Sequence, residues 1–354
     1  MSTPLQAALG RLLRQERLTR SEARCLLESV FHDAGEEDLE REIGLAGILA
    51  ALAARGESVE ELVGFAEAMR AAVVDIGWHG AAMTVDICST GGSPRRVMNI
   101  STAAAFAAAG AGATVAKHGN RSNTNACGAA DVLEAAGLNL QFPASELGAC
   151  LRENGIAFLF APLLHPAMRR VARVRRALAA RTAFNLLGPL TNPARAQAQI
   201  IGVPKPELVA KMAEALLALG TGHSFVIYAE DGIGEFSTTA LNELAEINRG
   251  TISYYPVDAR DLGLRRASLE ELHCATKAEA VAALHDVLAG KPGPVNDIVS
   301  LNAAAVLVAA GKALDLRHGI ALARAALSSG TAAQKLRNLV AHTHAGAGRT
   351  HSTV

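Results

Sequence analysis

The sequence of 354 residues predicts an α/β protein, with a small N-terminal α-helical domain and a larger α/β domain around a mainly parallel central sheet. Three observations lead there. Up to about residue 75 the apolar residues recur only at helical spacing. From about residue 80, short apolar runs alternate with helical periods, the pattern of a parallel sheet covered by helices on both faces. The composition, 50% hydrophobic and 19% charged, can fill one large core and a smaller satellite.

In chain order, Thr19-x-x-Glu22 and Ser58-x-x-Glu61 are capping-box patterns, and Leu62, Phe65, Ala66, Met69 and Val73 follow the second at helical spacing. Short amphipathic helices of this kind need a cover from the rest of the chain or from another subunit. Strands are expected at 84–88, 113–116, 156–160, 199–203, 224–228 and 252–256, with helices such as 207–219 and 277–289 between them. The uncharged stretch 103–116 is built of Ala and Gly rather than Leu, Ile and Phe. It reads as an interior helix and strand, too short to span a bilayer comfortably. Residues 165–181 read as a basic helix. The chain is helical and alanine-rich from Asp297 on, and its polar Gly/Thr/His end is expected to fray. Neither an internal repeat nor a low-complexity linker is visible.

Lys plus Arg equals Asp plus Glu at 34 each, which argues against nucleic acid or an acidic membrane surface as the partner. The cysteines, Cys25, Cys88, Cys127, Cys150 and Cys274, are scattered, odd in number and never in a C-x-x-C arrangement. That pattern predicts free thiols in a reducing compartment and no zinc site. Residues 1–20 lack the continuous apolar core of a signal peptide, so a cytoplasmic protein is expected.

The chemistry concentrates between Asp86 and Asp131. Thr84-Val-Asp-Ile-Cys88 reads as a strand, Gly91-Gly92 as a turn needing unusual φ/ψ, and Ser101-Thr102 as the hydroxyl-rich start of a helix. A second glycine-punctuated bend, Lys117-His-Gly-Asn-Arg-Ser122, follows the next apolar run. Such bends offer unhindered backbone amides, hydroxyls and the positive end of a helix dipole to an anion. In a parallel sheet both would lie at the carboxyl ends of strands, where ligands bind.

The same residues carry a resemblance. Asn99-Ile-Ser-Thr102, Lys117-His-Gly-Asn-Arg-Ser122, His165-Pro-Ala-Met168 and Asn185-Leu-Leu-Gly-Pro-Leu-Thr-Asn-Pro193 resemble, in order, the motifs of the anthranilate phosphoribosyltransferase family. The resemblance implies a fold of the nucleoside phosphorylase type, with residues 1–75 and roughly 163–185 in the helical domain and 76–162 and 186–354 in the α/β domain. It implies transfer of a phosphoribosyl group from phosphoribosyl diphosphate to an aromatic amine, and a homodimer made through the helical domain. Gly91, Gly92, Asn99, Ser101, Thr102 and Lys117 would hold the donor, with Ser89, Ser93, Arg121 and Asn125 in the same two loops. Asn120, His165 and Arg175 would orient the acceptor, the arginine fork suiting a planar carboxylate. No side chain is needed as a covalent nucleophile. Apart from the resemblance, His118 and His165 read as wall or packing residues, and Arg175 as one of several arginines on a solvated helix face.

The resemblance also implies magnesium, held by Ser101 and Glu235, but the chain departs from the family pattern around it. Ser89 replaces a glycine, Ser93 an aspartate, Pro94 a glycine and Val97 a threonine. Residues 123–126 replace serines and a lysine, Ala129 replaces a serine, and Gly234 replaces the aspartate beside Glu235. Two acids are therefore missing where magnesium, a hard cation preferring oxygen ligands, would sit. Arg95 and Arg96 have been added in the same loop. Guanidinium groups can neutralise phosphate directly, which predicts a phosphate site relying less on metal; the plain alternative is two arginines on an exposed loop. Two other readings remain open on sequence: a diverged enzyme acting on another acceptor or sugar phosphate, including nucleoside phosphorolysis, and a non-catalytic fold using its basic helix to bind an anion or nucleic acid.

Overall fold

The computed structural model describes residues 3–32, 39–80, 82–121 and 127–345. Four helices open the chain, Pro4–Leu13, Arg20–His32, Leu39–Arg55 and Val59–Ala71. Both expected capping boxes form. Glu22 and Glu61 each accept the backbone N–H three residues back, from Thr19 and Ser58, at 2.8 Å. Glu61 also accepts Leu18 N–H at 2.9 Å and pairs with Arg55, so a fully buried carboxylate ties together three helical segments.

Seven strands follow: β1 (Thr84–Ser89), β2 (Thr114–Gly119), β3 (Ile156–Phe160), β4 (Ala198–Val203), β5 (Ser224–Ala229), β6 (Asn242–Asn248) and β7 (Thr251–Val257). Their order in the sheet is β3-β2-β1-β4-β5-β6-β7. The first five are parallel, while β5–β6 and β6–β7 pair antiparallel. The chain walks outward from β1 to β3 and then jumps to the other side of β1 to lay down β4. The crevice beyond the carboxyl ends of β1 and β4 is thus the switch point of the sheet, where such folds bind ligands.

Alternation along the strands decides what each face covers. Ile87, Ile200, Phe225, Ile227 and Leu244 point into one core, formed with the buried helices Ile100–Gly110 and Pro294–Ala309. Ile201, Val203, Val226, Ala245 and Ile247 point the other way, under the helix Glu207–Ala218. That second core runs on without a break into Leu62, Phe65 and Met69 of the helical domain. The apolar faces of the short N-terminal helices are therefore covered by the chain's own sheet layer, as their amphipathicity requires. Among the described residues no helix is long and apolar enough to cross a membrane.

Two expectations need correction. The strand β6, Asn-Glu-Leu-Ala-Glu-Ile-Asn, was not anticipated, because its polar residues break the apolar run that marks the inner strands. Its signal lay in the following turn: Arg249 (φ 50°) and Gly250 (φ 80°) both adopt left-handed conformations, the geometry of a two-residue hairpin. Residues 165–181 are not one helix. Pro166 opens a 3₁₀ turn, Pro166–Met168, the helix proper is Arg169–Leu178, and Ala179 closes it at φ 48°. Arg181 consequently lies beyond the helix end. Residues 346–354, expected to fray, lie outside the described residues.

Candidate active site

The glycine turn sits at the switch point. Thr90 N–H, one residue past β1, donates to Gly202 O of β4 at 2.9 Å, and the chain then turns through Gly91 (φ 67°) and Gly92 (φ 85°). Only glycine adopts both conformations at no cost. The guanidinium of Arg181 lies directly over Gly92, in the space an added Cβ would take. Arg181 Nη2 donates to Thr90 O at 3.1 Å, which seats this arginine over the turn. Sequence reasoning named Arg181 only as part of a basic run.

The helix Ile100–Gly110 begins just beyond. Its N-cap, Asn99, makes no side-chain cap and instead donates its Nδ2 to Cys127 O at 3.3 Å. The first turn is therefore left with uncapped amides at the positive end of the dipole. Ser101 is half-buried there, and the hydroxyl of Thr102 is buried with no hydrogen-bond partner. Thr90 Oγ1, beside the glycine turn, is likewise buried and unpartnered. A buried hydroxyl without a partner costs free energy, and two of the five such side-chain atoms among the described residues belong to the glycine turn and the start of this helix.

Lys117 on β2 is 4% exposed, and its Nζ donates to Ile87 O of β1 at 2.7 Å. The two bends identified in the sequence thus belong to adjacent parallel strands, and Lys117 reaches across to the strand that carries the other bend. No carboxylate is hydrogen-bonded to Nζ among the described residues. A buried cation held by carbonyls alone keeps its charge for an incoming anion. Asp86, fully buried below it, accepts His118 N–H at 3.0 Å, and burial raises its pKa. Asp86 was not singled out from sequence, although a carboxylate inside Thr-Val-Asp-Ile-Cys is a signal that something must satisfy it.

His118 and His165 form a pair, Nε2 to Nε2 at 3.2 Å, and His118 Nδ1 lies 3.2 Å from Gly188 O. A carbonyl only accepts, so His118 carries its proton on Nδ1, His165 donates from Nε2, and His165 Nδ1 is left as an acceptor. Burial, reinforced by His165, lowers His118 to about 3, and burial lowers His165 to about 4. Both rings are therefore neutral at pH 7 and read as polar wall rather than as cations. Their unfolded counterparts protonate below about 6.5, so the pair contributes nothing to pH sensitivity above that value and a progressive loss of stability down toward pH 4. His165→Gln is expected to shrink this acid-side loss of thermal stability. An unchanged pH slope would contradict the assignment.

Arg175 is half-buried, its guanidinium 5.3 Å from the Phe184 ring centroid, and burial lowers its pKa. It pairs with no carboxylate among the described residues. Asn120 is exposed at the end of β2 and its Oδ1 accepts Arg121 N–H at 2.7 Å.

Other candidates are engaged elsewhere. Arg121, expected at the donor, instead pairs with Asp131 at 2.8 Å and with Glu134 at 2.7 Å, because both acids lie on the next helix beside it. Arg95, expected to face phosphate, donates its Nε to Asp231 O at 2.7 Å. Ser93 donates to Gly232 O at 2.7 Å, while Ser89 Oγ accepts Gly91 N–H at 3.4 Å and shapes the turn. Arg96 is exposed. Asn125 lies outside the described residues, as do residues 122–126 generally. Glu235 is half-buried, and burial pushes its carboxyl up to about 7 against the pull of Lys117. Asp231, nearby, is saturated: Oδ1 accepts Ile233 N–H at 2.9 Å and Oδ2 accepts the hydroxyls of Ser237 and Thr239.

Comparison with known proteins gives two family matches along the chain. A model for the helical bundle domain of a glycosyl transferase family matches residues 6–73, and one for the a/b domain of a glycosyl transferase family matches residues 81–333. An anthranilate phosphoribosyltransferase of Symbiobacterium thermophilum is 46% identical over 85% of this chain and 88% of its own. One from an Anaeromyxobacter species is 44% identical over 97% of this chain and all of its own. The crystal structure of the Thermus thermophilus anthranilate phosphoribosyltransferase superposes with a TM-score of 0.88 at 41% identity, over 95% of this chain and 99% of that one. The Saccharomyces cerevisiae enzyme, in complex with PRPP and Mg, shares the fold at a TM-score of 0.87 and 24% identity, over 96% of this chain and 98% of that one.

Proposed function

The chain belongs to the anthranilate phosphoribosyltransferase family, and from that premise we propose that it transfers the phosphoribosyl group of phosphoribosyl diphosphate to an aromatic amine, with anthranilate as the reference acceptor. In this reaction the bond from the sugar C1 to diphosphate breaks as one from C1 to the amine nitrogen forms. Positive charge gathers on the sugar and negative charge on the departing diphosphate. A protein accelerates such a step by holding the two reactants in line and stabilising the leaving charge. Lys117, the Gly92 amide, the uncapped first turn at Ser101 and Thr102, and the unpartnered hydroxyl of Thr102 would receive the phosphates, with Gly91 shaping the turn. Arg175 would hold the acceptor carboxylate, with Asn120 and the bare Nδ1 of His165 orienting the ring and amine. The observation that carries the reading is Lys117, a buried ammonium with no anionic hydrogen-bond partner among the described residues, beside a glycine turn at the switch point of the sheet.

Magnesium would have Ser101 and Glu235 as its protein ligands. The donor set fits it poorly: Glu235 lies beside the ammonium of Lys117, Gly234 has no side chain, Ser93 is bonded to Gly232 O, and Asp231 already accepts three hydrogen bonds from its own loop. A homodimer through the helical domain is supported by Leu13, Leu39 and Ile43, which stay 68%, 65% and 62% exposed there. The free cysteines accord with a cytoplasmic location. Nucleic-acid binding by the basic helix is disfavoured, since Arg173 lies 3.6 Å from Glu42 and Arg175 packs on Phe184.

Product analysis tests the function. Phosphoribosyl diphosphate plus anthranilate should give loss of anthranilate fluorescence and release of diphosphate, and nucleoside plus phosphate should give nothing. The reverse outcome would move the protein to nucleoside phosphorolysis.

A further inference from the structure

The loop of Ser93 to Arg95 and the loop of Asp231 to Glu235 touch each other. Ser93 Oγ donates to Gly232 O at 2.7 Å, Arg95 Nε donates to Asp231 O at 2.7 Å, and Pro94 packs against Gly232. Arg95 N–H in turn donates to Ser93 Oγ at 3.1 Å, so the hydroxyl is fixed from both sides. Residues 93–95 thus form a direct latch onto the turn 231–232. A cation bridging two loops through a ligand does two things: it holds them at a fixed separation and it neutralises anionic oxygens. The latch does the first.

The second requires positive charge from the chain itself, and Arg181 joins Lys117 in supplying it. Its guanidinium covers Gly92, is anchored by one bond to Thr90 O at 3.1 Å, and makes no ion pair within 4 Å among the described residues. The buried, unpartnered hydroxyl of Thr90 lies on the same turn. Glu235 lies beside Lys117 next to a position, 234, that carries no side chain, while Asp86 accepts His118 N–H inside the sheet, Asp231 accepts three hydrogen bonds from its own loop, and the acid that acts on Arg181 is Glu57. A divalent cation there would meet Lys117 with Glu235 as the one nearby carboxyl, among the described residues, that no hydrogen-bond donor already engages.

We propose that this site binds the diphosphate end of its ligand without a resident divalent cation, with Arg181 and Lys117 as the charge partners and the 93–95 to 231–232 latch as the brace. The proposal rests on the reading of the site as a diphosphate site, and it adds Arg181 as a ligand-binding residue.

The test is titration calorimetry of the full chain with inorganic diphosphate, in EDTA and in excess magnesium. The expected affinities differ by less than about threefold between the two conditions, and Arg181→Gln weakens binding at least about tenfold, the loss of one charge-assisted hydrogen bond. Gly234→Asp is the complementary variant. Position 234 has φ 77°, a conformation that strains any side chain but one that aspartate adopts more readily than most, with open space around an added Cβ. An acid at 234 should create a magnesium dependence of about tenfold or more, by supplying a free carboxylate beside Glu235. Binding by the unmodified chain that vanishes in EDTA, or is indifferent to Arg181→Gln in a variant with unchanged circular dichroism, would overturn the proposal. So would a Gly234→Asp variant indifferent to magnesium. Transfer is read separately: EDTA-resistant diphosphate binding in a chain that modifies no anthranilate would remove the transfer reading and leave this one standing. Vigorous transfer with diphosphate binding abolished by EDTA would do the reverse.

Discussion

Lys117→Met is expected to reduce phosphoribosyl transfer about 10³-fold, the scale on which removing one preorganised charge-stabilising donor acts. Methionine keeps the length and apolar stem of the side chain, so the space it fills in the sheet interior stays filled. What is lost is the ammonium that bonds Ile87 O at 2.7 Å and balances the buried Asp86 below it. Leaving that carbonyl unpaired and Asp86 without its neighbouring cation costs about 3–5 kcal/mol of stability, enough to lower the melting temperature by several degrees or more. The decisive comparison is therefore transfer rate against thermal stability: a large fall in rate in a variant that melts earlier but still folds. Near-normal transfer by a folded Lys117→Met variant would remove this lysine from the diphosphate site.

Arg175→Ala should act on the other reactant. A guanidinium to carboxylate contact is worth about 1.5–3 kcal/mol, so the variant is expected to lose about 10- to 150-fold in kcat/KM for anthranilate. An aromatic amine without the carboxylate, such as aniline, should lose little. The ratio of the two kcat/KM values is the readout, because a general loss of fold or of donor binding lowers both alike. Arg175→Lys should recover only part of the preference, since a single ammonium cannot meet both oxygens of a planar group. Equal losses for both amines would place Arg175 among the packing residues of its helix, where its contact with Phe184 already gives it a structural part.

The inner sheet was legible because its strands are buried on both faces and read as continuous apolar runs, Thr-Val-Asp-Ile-Cys and Ile-Ala-Phe-Leu-Phe among them. The antiparallel strand β6 was not, because Glu243 and Glu246 interrupt its apolar residues and hide it from a search for such runs. In the site, Gly91 and Gly92 could be read from backbone chemistry alone, since two consecutive glycines after a strand mark a chain that must bend through left-handed conformations. Arg181 could not. Its importance comes from where the chain returns after the helix Arg169–Leu178 ends early, and no local pattern encodes that return. Arg121 shows the converse: it sits inside the most recognisable motif, yet Asp131 and Glu134 on the following helix engage it. Arg95 is similar, drawn to Asp231 O by the packing of two loops far apart in sequence.

The claim on which these predictions depend is that the turn at Gly91-Gly92 and the ammonium of Lys117 serve one anion. A crystal structure of the protein with phosphoribosyl diphosphate tests it most directly. The account predicts phosphate oxygens within hydrogen-bonding distance, about 2.7–3.2 Å, of both the Gly92 region amides and Lys117 Nζ. Phosphates bound elsewhere, with Lys117 still turned to Ile87 O and no ligand at the glycine turn, would contradict it.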